Sequence, residues 1–543
     1  MVSKALSRCL SFTSRLILRQ LRTNSSKFLS RKPGNVSRSS KFHMLSSVPD
    51  GGEPELLQNT SMIWNIEGGL LKSSNLFPYF MLVALEAGGF LRALLLLALY
   101  PLLCLVGSED ARMKMMVMVC FFGVRKDSFR IGASVLAKFF LQDVGSEWFE
   151  RMMNKKRVVK KIGVSNMPQI MIESFLKEYM GFDCVVGREL KVFRGYFVGL
   201  MEKNKTPQNL SAHVMDGEET HKHNYMVIGI CSAETSAADQ LVSVCDEIYL
   251  TTDAERSRWS QLPADKYPKP LVFHDGRLAF RPTSLATLAM FVWFPFGVWL
   301  AILRSLVGLF LPYTISKPLL AFLGLKVRFK PNSLAMLASK SKGIVYVCNH
   351  RTLFDPIYLC VVLDKEVTAV TYSLSRVSEF LSPIKTVRLT RDLNKDAKLM
   401  EQMLTQGDLV VCPEGTTCRE GYLLRFSPLF TEMSQVIVPV ALDTKVSMFY
   451  GTTASGLKCL DPFFFLMNPC PLYTVKFLDP VSGLPTSPSA VHDASAKGRD
   501  SRRFELANQV QSEIAKALNF TCTKLTRKDK YLILAGNEGT VST

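Results

Sequence analysis

Apolar positions recur along the chain in three patterns, and each predicts a different element. The first is the short β-branched run without charge. Gly343-Ile344-Val345-Tyr346-Val347-Cys348 has this form and reads as a buried strand. Similar runs stand at 327–329, 367–370, 408–412 and 436–442. The second is the amphipathic stretch. Residues 395–406 place Leu399, Met400 and Met403 on one side and stop at Gly407, as a helix does. From Gly324 onward strand-like and helix-like stretches alternate, which predicts an α/β sheet covered by helices. The third is the long apolar run. Residues 284–303 hold no charge, and after Arg304 the pattern resumes through Leu311. Twenty uncharged residues are enough to cross a bilayer. Pro295 and Gly297 in the middle predict a kinked or re-entrant helix, and Trp293 and Trp299 suit the headgroup level. The competing reading is a hydrophobic hairpin buried against protein. Residues 76–106 are also apolar but are broken by Glu86 and Arg92. They predict either an amphipathic cap dipping into the bilayer interface or a buried helix.

Length and charge sharpen this picture. A chain of 543 residues is too long for one ordinary core, so two folded domains are expected. The formal net charge is +19, and residues 1–49 supply +10 of it with no acid at all. The remaining excess suits an anionic membrane face and phosphate-bearing substrates. Arg277 and Arg281 precede the long apolar run, and Lys317, Lys326, Arg328 and Lys330 follow it. Cations on both sides fit a segment that enters and leaves one leaflet. No nucleic-acid motif accompanies the charge, so nucleic acid is not an expected partner. The 13 cysteines contain no CxxC pair and read as reduced thiols, not as a disulfide framework or a zinc site. In the basic arm Leu6, Leu10, Ile17 and Leu21 share one helical face, with Arg8, Arg15, Arg19 and Arg22 elsewhere. This arm resembles a mitochondrial transit peptide; the alternatives are a basic tail resting on anionic lipid and an endoplasmic-reticulum location. A linker at 48–55 carries Pro49, Gly51, Gly52 and Pro54.

The candidate chemistry lies where the 343–348 strand ends, in NHRTLFDP at 349–356. Pro356 suits the first turn of a helix, where no backbone donor is needed. His350 and Asp355 therefore meet across a strand-to-helix turn. A carboxylate on one imidazole nitrogen leaves the other as a base for a substrate hydroxyl. Downstream come VRLTRD at 387–392, PEGTTCRE at 413–420 and VPVA at 438–441. This ordered set resembles the four blocks of the glycerolipid acyltransferase superfamily. The resemblance implies His350 as general base, Asp355 as its orienting partner, and a coenzyme A thioester as acyl donor. No cofactor and no metal are implied, since acyl-CoA is itself a substrate. Arg391, Glu414, Gly415, Thr416 and Arg419 are the residues the resemblance favours for a glycerol-3-phosphate pocket, with Arg388 beside them. Arg351 and Arg425 are further guanidinium groups, a type that pairs bidentately with phosphate.

The first domain carries a second resemblance. SMIWNIEGGLL at 61–71 has the layout of a strand and a glycine turn, and resembles the Asp-x-Asp-Gly-Thr motif of haloacid-dehalogenase-type phosphatases. Asn65 stands at the nucleophile position, Glu67 at the acid/base position and Gly69 at the threonine. An amide cannot replace the carboxylate nucleophile. Ser165 matches the hydroxyl residue of the second motif. The acidic metal-binding motif expected near Gly229 reads IGICSAETS at 228–236, without its aspartates, so Mg²⁺ lacks hard ligands. The domain is expected to be structural and without phosphatase activity. Lys155, Lys156, Arg157, Lys160 and Lys161 read as a solvated basic face. His221, Lys222 and His223 read as a polar loop.

Three longer stretches, SSNLFPYFM at 73–81, PEGTTCREGYLLRFSPLF at 413–430 and LTRKDKYLILAG at 525–536, resemble the land-plant glycerol-3-phosphate acyltransferases. Members of that family make lysophosphatidic acid from acyl-CoA and glycerol-3-phosphate, many at sn-2. Those with an intact phosphatase domain release monoacylglycerol. The departures at Asn65, Glu67 and around Ser232 imply a product that keeps its phosphate. The expected partners are acyl-CoA, glycerol-3-phosphate and a lipid bilayer. The expected order is an arm and linker at 1–55, a haloacid-dehalogenase-like domain at 56–280, a membrane segment at 284–312 and an acyltransferase domain at 318–543. Two other functions fit the blocks: acylation of a lysophospholipid, and a membrane scaffold with a dead site. The intact His350/Asp355 pair weighs against the second.

Overall fold

The run at 60–65 is the centre of a parallel sheet, and five of its six side chains are buried. The computed structural model describes residues 42–44, 60–146, 149, 158–202, 226–233, 241–269, 271–333, 343–371, 379, 382–390, 393–434, 436–454, 457–484 and 496–535. Residues 1–41 of the basic arm, the linker, Lys155 to Arg157, His221 to His223, residues 234–236 and Arg391 lie outside the described residues. The chain packs into two units, one of residues 1–127 with 140–268, the other of 128–139 with 269–543. The short insertion 128–139 is held in the second unit by an Asp275 amide that donates to the Ser134 carbonyl at 2.8 Å.

The first unit contains β1 (Phe42–Met44), β2 (Thr60–Asn65), β3 (Val158–Pro168), β4 (Cys184–Arg188), β5 (Leu190–Phe193), β6 (Tyr196–Met201), β7 (Met226–Ser232) and β8 (Glu247–Thr251). Six of them form one sheet in the order β1-β8-β7-β2-β3-β4, with every pair parallel. Ile63, Ile162, Val164, Cys231 and Ile248 build the core on it. The strand order reverses at β2, so its carboxyl end, with Asn65, is the crevice where open parallel sheets place ligands. β5 and β6 form a separate hairpin. The apolar stretch at 76–106 becomes α1 (Phe77–Ala98) and α2 (Tyr100–Leu105). α1 kinks at Gly89, whose φ of 70° a glycine adopts without strain. Its first two turns are core and the later Leu91, Leu94 and Leu95 are exposed. Arg92 donates to the carbonyls of Cys120 (2.7 Å) and Phe122 (2.9 Å) at the end of α3 (Glu109–Phe121). Those carbonyls have no intrahelical donor, so the charge inside the apolar stretch has a structural use.

The second unit has a larger mixed sheet. Its strands are β9 (Lys326–Lys330), β10 (Val345–Cys348), β11 (Val367–Thr371), β12 (Thr386–Arg388), β13 (Asp408–Val411), β15 (Val436–Lys445), β16 (Leu472–Phe477) and β17 (Val481–Ser482). The order is β12-β11-β13-β10-β15-β16-β9, with β17 on β15; β14 (Tyr422–Leu423) pairs separately with β18 (Thr521–Cys522). The helices are α4 (Ser284–Phe310), α5 (Tyr313–Phe322), α6 (Asp355–Leu363), α7 (Leu393–Gln406), α8 (Asp461–Leu466), α9 (Ala496–Leu518) and α10 (Arg527–Leu534). β10 is parallel to β13 and β15 and wholly buried. Met400 of α7 and Val510 and Ile514 of α9 cover one sheet face with Val345, Leu409 and Ile437.

α4 is not divided into two legs, as the re-entrant expectation requires. It is one helix of 27 residues that runs through Pro295. Its buried positions, Thr287, Met290, Gly297, Ala301, Arg304 and Val307, fall three, four or seven apart and form one stripe. The Trp293 indole donates to the Met467 carbonyl at 2.9 Å. Arg304 is buried and donates to the carbonyls of Leu323, Leu466, Asn468 and Pro469 at 3.1, 2.5, 2.6 and 2.8 Å. One guanidinium thus satisfies the ends of α5 and α8 together. The other faces of α4 expose Leu285, Val292, Phe296, Trp299 and Phe310. An apolar face of this extent is unusual against water. Among the described residues α1 and α4 are the helices long and apolar enough to cross a membrane, and they point to membrane association.

Candidate active site

The site begins where β10 stops. Asn349 is fully buried, and its amide donates to the Leu442 carbonyl (2.9 Å) and accepts from the Leu442 amide (2.7 Å). The side chain imitates a backbone pair and extends the β10–β15 ladder by one position. His350 comes next. Its amide donates to Glu414 Oε1 at 2.8 Å, and its carbonyl accepts from the Cys418 amide at 2.7 Å. The first and third sequence blocks are therefore joined through the backbone of the histidine itself.

The chain then turns, and α6 starts at Asp355 with Pro356 in its first turn. His350 Nδ1 and Asp355 Oδ2 lie 2.7 Å apart. Asp355 Oδ2 also accepts from the amides of Arg351 (2.6 Å) and Thr352 (3.1 Å), and Oδ1 accepts from Tyr473 Oη. Burial pushes the Asp355 carboxyl above the usual range, and the His350 bond and the two amides oppose that rise. A carboxylate held this way fixes the Nδ1–H tautomer and leaves Nε2 with a lone pair. Cys412 brings its sulfur within 4.8 Å of the His350 and Asp355 donor atoms. With both Asp355 oxygens accepting hydrogen bonds, the trio is already bonded in a manner that suits acid–base chemistry better than metal ligation.

Tyr473 gave no signal in the sequence. It stands on β16, a strand absent from the sequence-based set, and its ring stacks on Tyr358 of α6 with centroids 3.8 Å apart. Only the fold brings it to Asp355, 118 residues away.

His350 lines a cavity of about 790 Å³ in the second unit, a size normal for a small-molecule site. Leu309, Leu320, Leu325, Val327, Ile357 and Val361 are among its apolar lining. Thr416, Thr417, Lys458, Arg527 and Tyr531 line its polar part. Gly415 and Thr416 are the sequence-predicted binding residues that reach it, and Gly415 has a φ of 68°. Glu414, Arg419 and Arg388 stand elsewhere. Glu414 is buried behind the histidine, where Oε1 holds the His350 amide and Oε2 accepts from the Leu424 amide at 2.9 Å. Burial pushes its carboxyl up to about 7. Arg419 donates to the carbonyls of Gly276 (2.6 Å) and Thr452, and lies 3.9 Å from Asp275. Arg388 is an exposed partner of Glu379 at 2.7 Å and is not part of the cavity wall. Arg425 stacks over the Phe504 ring. Arg351 donates to the carbonyls of Cys418 (2.7 Å) and Glu420 (2.6 Å) and pairs with Asp443 at 3.0 Å, clamping the third block to the first.

A family model described as glycerol-3-phosphate acyltransferase RAM2-like, HAD-like domain, matches residues 61–251. One described as acyltransferase matches residues 328–443. The chain is 53% identical over 489 residues to probable glycerol-3-phosphate acyltransferase 2 of Arabidopsis thaliana, covering 89% of this chain and 91% of that one. It is 54% identical over 501 residues to probable glycerol-3-phosphate acyltransferase 3 of the same organism, covering 90% and 93%. The chain belongs to the plant glycerol-3-phosphate acyltransferase family. Among solved structures, the 1-acyl-sn-glycerophosphate acyltransferase PlsC from Thermotoga maritima aligns over 42% of this chain and 89% of its own, at 14% identity and a TM-score of 0.25.

In this plant glycerol-3-phosphate acyltransferase family member the HAD-like domain has its own crevice at the end of β2. Glu67 is folded into it. Its Oε1 accepts from the Ser165 hydroxyl (2.6 Å) and from the amides of Asn166 (2.7 Å) and Met167 (3.2 Å), and Oε2 accepts from the Asn65 amide at 3.3 Å. A Cβ on Gly68 would lie 2.3 Å from the Ser232 Cβ, so the two loops close on each other. Beside them the buried Arg256 guanidinium donates to the Gly68 carbonyl at 3.0 Å and pairs with Asp253. Asn65, Ser232 and a resident guanidinium do not fit a divalent cation, which wants several carboxylate oxygens.

Proposed function

We propose that this chain transfers an acyl group from acyl-CoA to glycerol-3-phosphate and releases lysophosphatidic acid. His350 Nε2 takes the proton of the acceptor hydroxyl as that oxygen attacks the thioester carbonyl. Asp355 stabilises the imidazolium that forms. Collapse of the tetrahedral adduct breaks the C–S bond, and the proton on His350 goes to the departing thiolate. The observation that carries this reading is the buried Asp355 carboxylate aligned on His350 Nδ1 at 2.7 Å, with the histidine in the wall of a cavity that aliphatic side chains also line. Family membership and the four ordered blocks support it. The resemblance to the land-plant enzymes favours acylation at sn-2.

The phosphate stays on the product in this reading. Three features support that. Asn65 presents an amide where a nucleophilic carboxylate is required. The Glu67 carboxylate fills the Ser165, Asn166 and Met167 donors that would cradle a phosphoryl group. The buried Arg256 guanidinium, bonded to the Gly68 carbonyl, adds a fixed positive charge beside the same turn. For the compartment, the acid-free basic arm favours a mitochondrial membrane over the endoplasmic reticulum, and a fluorescent fusion to the full chain distinguishes them.

The test is an assay of detergent-purified protein with acyl-CoA and glycerol-3-phosphate, beside His350→Ala. Lysophosphatidic acid is expected from the wild type, with a rate about 10²–10⁴-fold lower in the variant. Acylation of a lysophospholipid and not of glycerol-3-phosphate would overturn the acceptor assignment. An unaltered rate in His350→Ala would overturn the base.

A further inference from the structure

A glycerol phosphate carries close to two negative charges near neutral pH. Its hydroxyls are separated from the phosphate by only a few bonds, so the site needs cations in the same cavity as His350. The arginines marked by the sequence blocks do not provide them among the described residues. Arg419 is turned to the carbonyls of Gly276 and Thr452, and Arg388 lies outside the cavity wall.

Of the cations that line the cavity, Arg304 is turned to the carbonyls of Leu323, Leu466, Asn468 and Pro469 and Lys317 pairs with Asp364, which leaves Lys458 and Arg527. Lys458 comes from a short turn at Lys458–Leu460, and Arg527 from the start of α10. Tyr531, one turn further along α10, stands between them. Lys458 Nζ donates to the Tyr531 phenol oxygen at 2.9 Å, and the Arg527 guanidinium centre lies 5.5 Å from the Tyr531 ring. The Tyr531 and Thr416 hydroxyls are 3.4 Å apart, which ties the group to the turn two residues past Glu414, the residue that holds the His350 amide. Burial pushes the Tyr531 phenol up, but Lys458, Thr416 and Arg527 together outweigh it and leave the phenol below the usual tyrosine range. Two nearby acids are already engaged. Asp461 pairs with Arg277 at 2.9 Å, and Asp529 accepts from the Thr526 amide at 2.7 Å. Among the described residues neither Lys458 nor Arg527 has a carboxylate partner. Three segments distant in sequence thus bring two uncompensated cations and two hydroxyls to one wall of the cavity that holds the base.

We propose that Lys458, Arg527 and Tyr531, with the Thr416 hydroxyl, form the subsite that binds the phosphate of the acceptor. The proposal rests on the acyl-transfer reading above and names where its small anionic substrate is gripped. Arg527 supplies a planar fork for two phosphate oxygens, Lys458 a point charge, and the hydroxyls neutral donors. Coenzyme A also carries phosphates, and the test separates the two sources.

Steady-state kinetics on full-length Lys458→Ala, Arg527→Ala, Arg527→Lys and Tyr531→Phe, each checked for an unchanged melting temperature, give the first arm. The KM for glycerol-3-phosphate is expected to rise about tenfold or more in the two alanine variants. It should recover in part in Arg527→Lys, and the KM for acyl-CoA should stay within about twofold throughout. A rise confined to the acyl-CoA KM would assign the cluster to the donor, and no change in either KM would leave it without a binding role; each overturns the proposal. Calorimetric titration of glycerol-3-phosphate without any donor gives the second arm, with binding expected in the wild type and weakened about tenfold in Arg527→Ala. Wild-type binding without turnover would sink the acyl-transfer reading and uphold the subsite. Turnover with unaltered KM values in the variants would do the reverse.

Discussion

Asp355 has no exposed surface, yet it receives hydrogen bonds from His350, two backbone amides and Tyr473. A buried carboxylate is tolerable only with such a set, and the set fixes its orientation. Tyr473→Phe removes one donor while the ring keeps its stack on Tyr358. It is expected to lower kcat about tenfold with little change in either KM, because Tyr473 positions Asp355 and does not touch substrate. An equal loss in KM would place Tyr473 at the substrate instead. Glu414 gives a different signature. Burial pushes its carboxyl up to about 7, from an ordinary value near 4.5. Between these pH values the folded protein holds a proton that the unfolded chain has shed. The stability from this group is therefore present at low pH and lost as pH rises through that window. Glu414→Gln removes the titration, so the wild-type stability relative to the variant should fall by up to about 3 kcal/mol across it, read from denaturant melts at several pH values. His350 and Asp355 were legible in the sequence because five residues and a proline define their turn. Tyr473 was not, because its partner lies on another element and its own strand carries only a packing pattern. Glu414 was singled out by its block, and its bonds to the His350 and Leu424 amides were not legible: a motif records that a carboxylate is present, not which way it points.

At the scale of elements, α4 combines two surfaces in one apolar sequence. The stripe through Gly297 and Arg304 docks on α8, while Leu285, Val292, Phe296 and Trp299 remain uncovered. Periodicity cannot separate them, because a helix apolar all round hides which side meets protein. Pro295 and Gly297 read as a break for the same reason. The proline costs one backbone bond, and the glycine turns out to be a contact point, since a Cβ there would lie 3.1 Å from the Met467 carbonyl. Arg304 read as an interruption of the apolar run and is the rivet of the docked stripe. Arg304→Met is expected to lower stability by at least about 3 kcal/mol, because several carbonyls lose their donor at once. Arg304→Lys, with three donors, should fall between. Both are checked by melting temperature in detergent. A melting temperature unchanged in Arg304→Met would mean that α4 holds its place without the guanidinium.

At the scale of the whole molecule, one chain carries two α/β units, each with a cluster of bonded polar side chains at the end of a strand. β2, β9, β10, β11, β13 and β15 were legible from short β-branched runs, since a buried parallel strand has few other signatures. The insertion 128–139 that joins the second unit was not, because nothing in its composition marks a change of neighbours. In the HAD-like unit Asn65 is one of several polar residues gathered at the end of β2. With Glu67 in the phosphoryl cradle and Arg256 beside it, Asn65→Asp alone is expected to yield no phosphatase activity, measured as monoacylglycerol or inorganic phosphate. Phosphate release by that single variant would show that the crevice is open.

The most direct measurement supplies glycerol-3-phosphate labelled separately in phosphorus and in carbon, with acyl-CoA, to the wild type and to His350→Ala. One lipid product carrying both labels in equal proportion, and lost in the variant, is the expected result. A lipid product carrying the carbon label alone, or one that persists without His350, would contradict it.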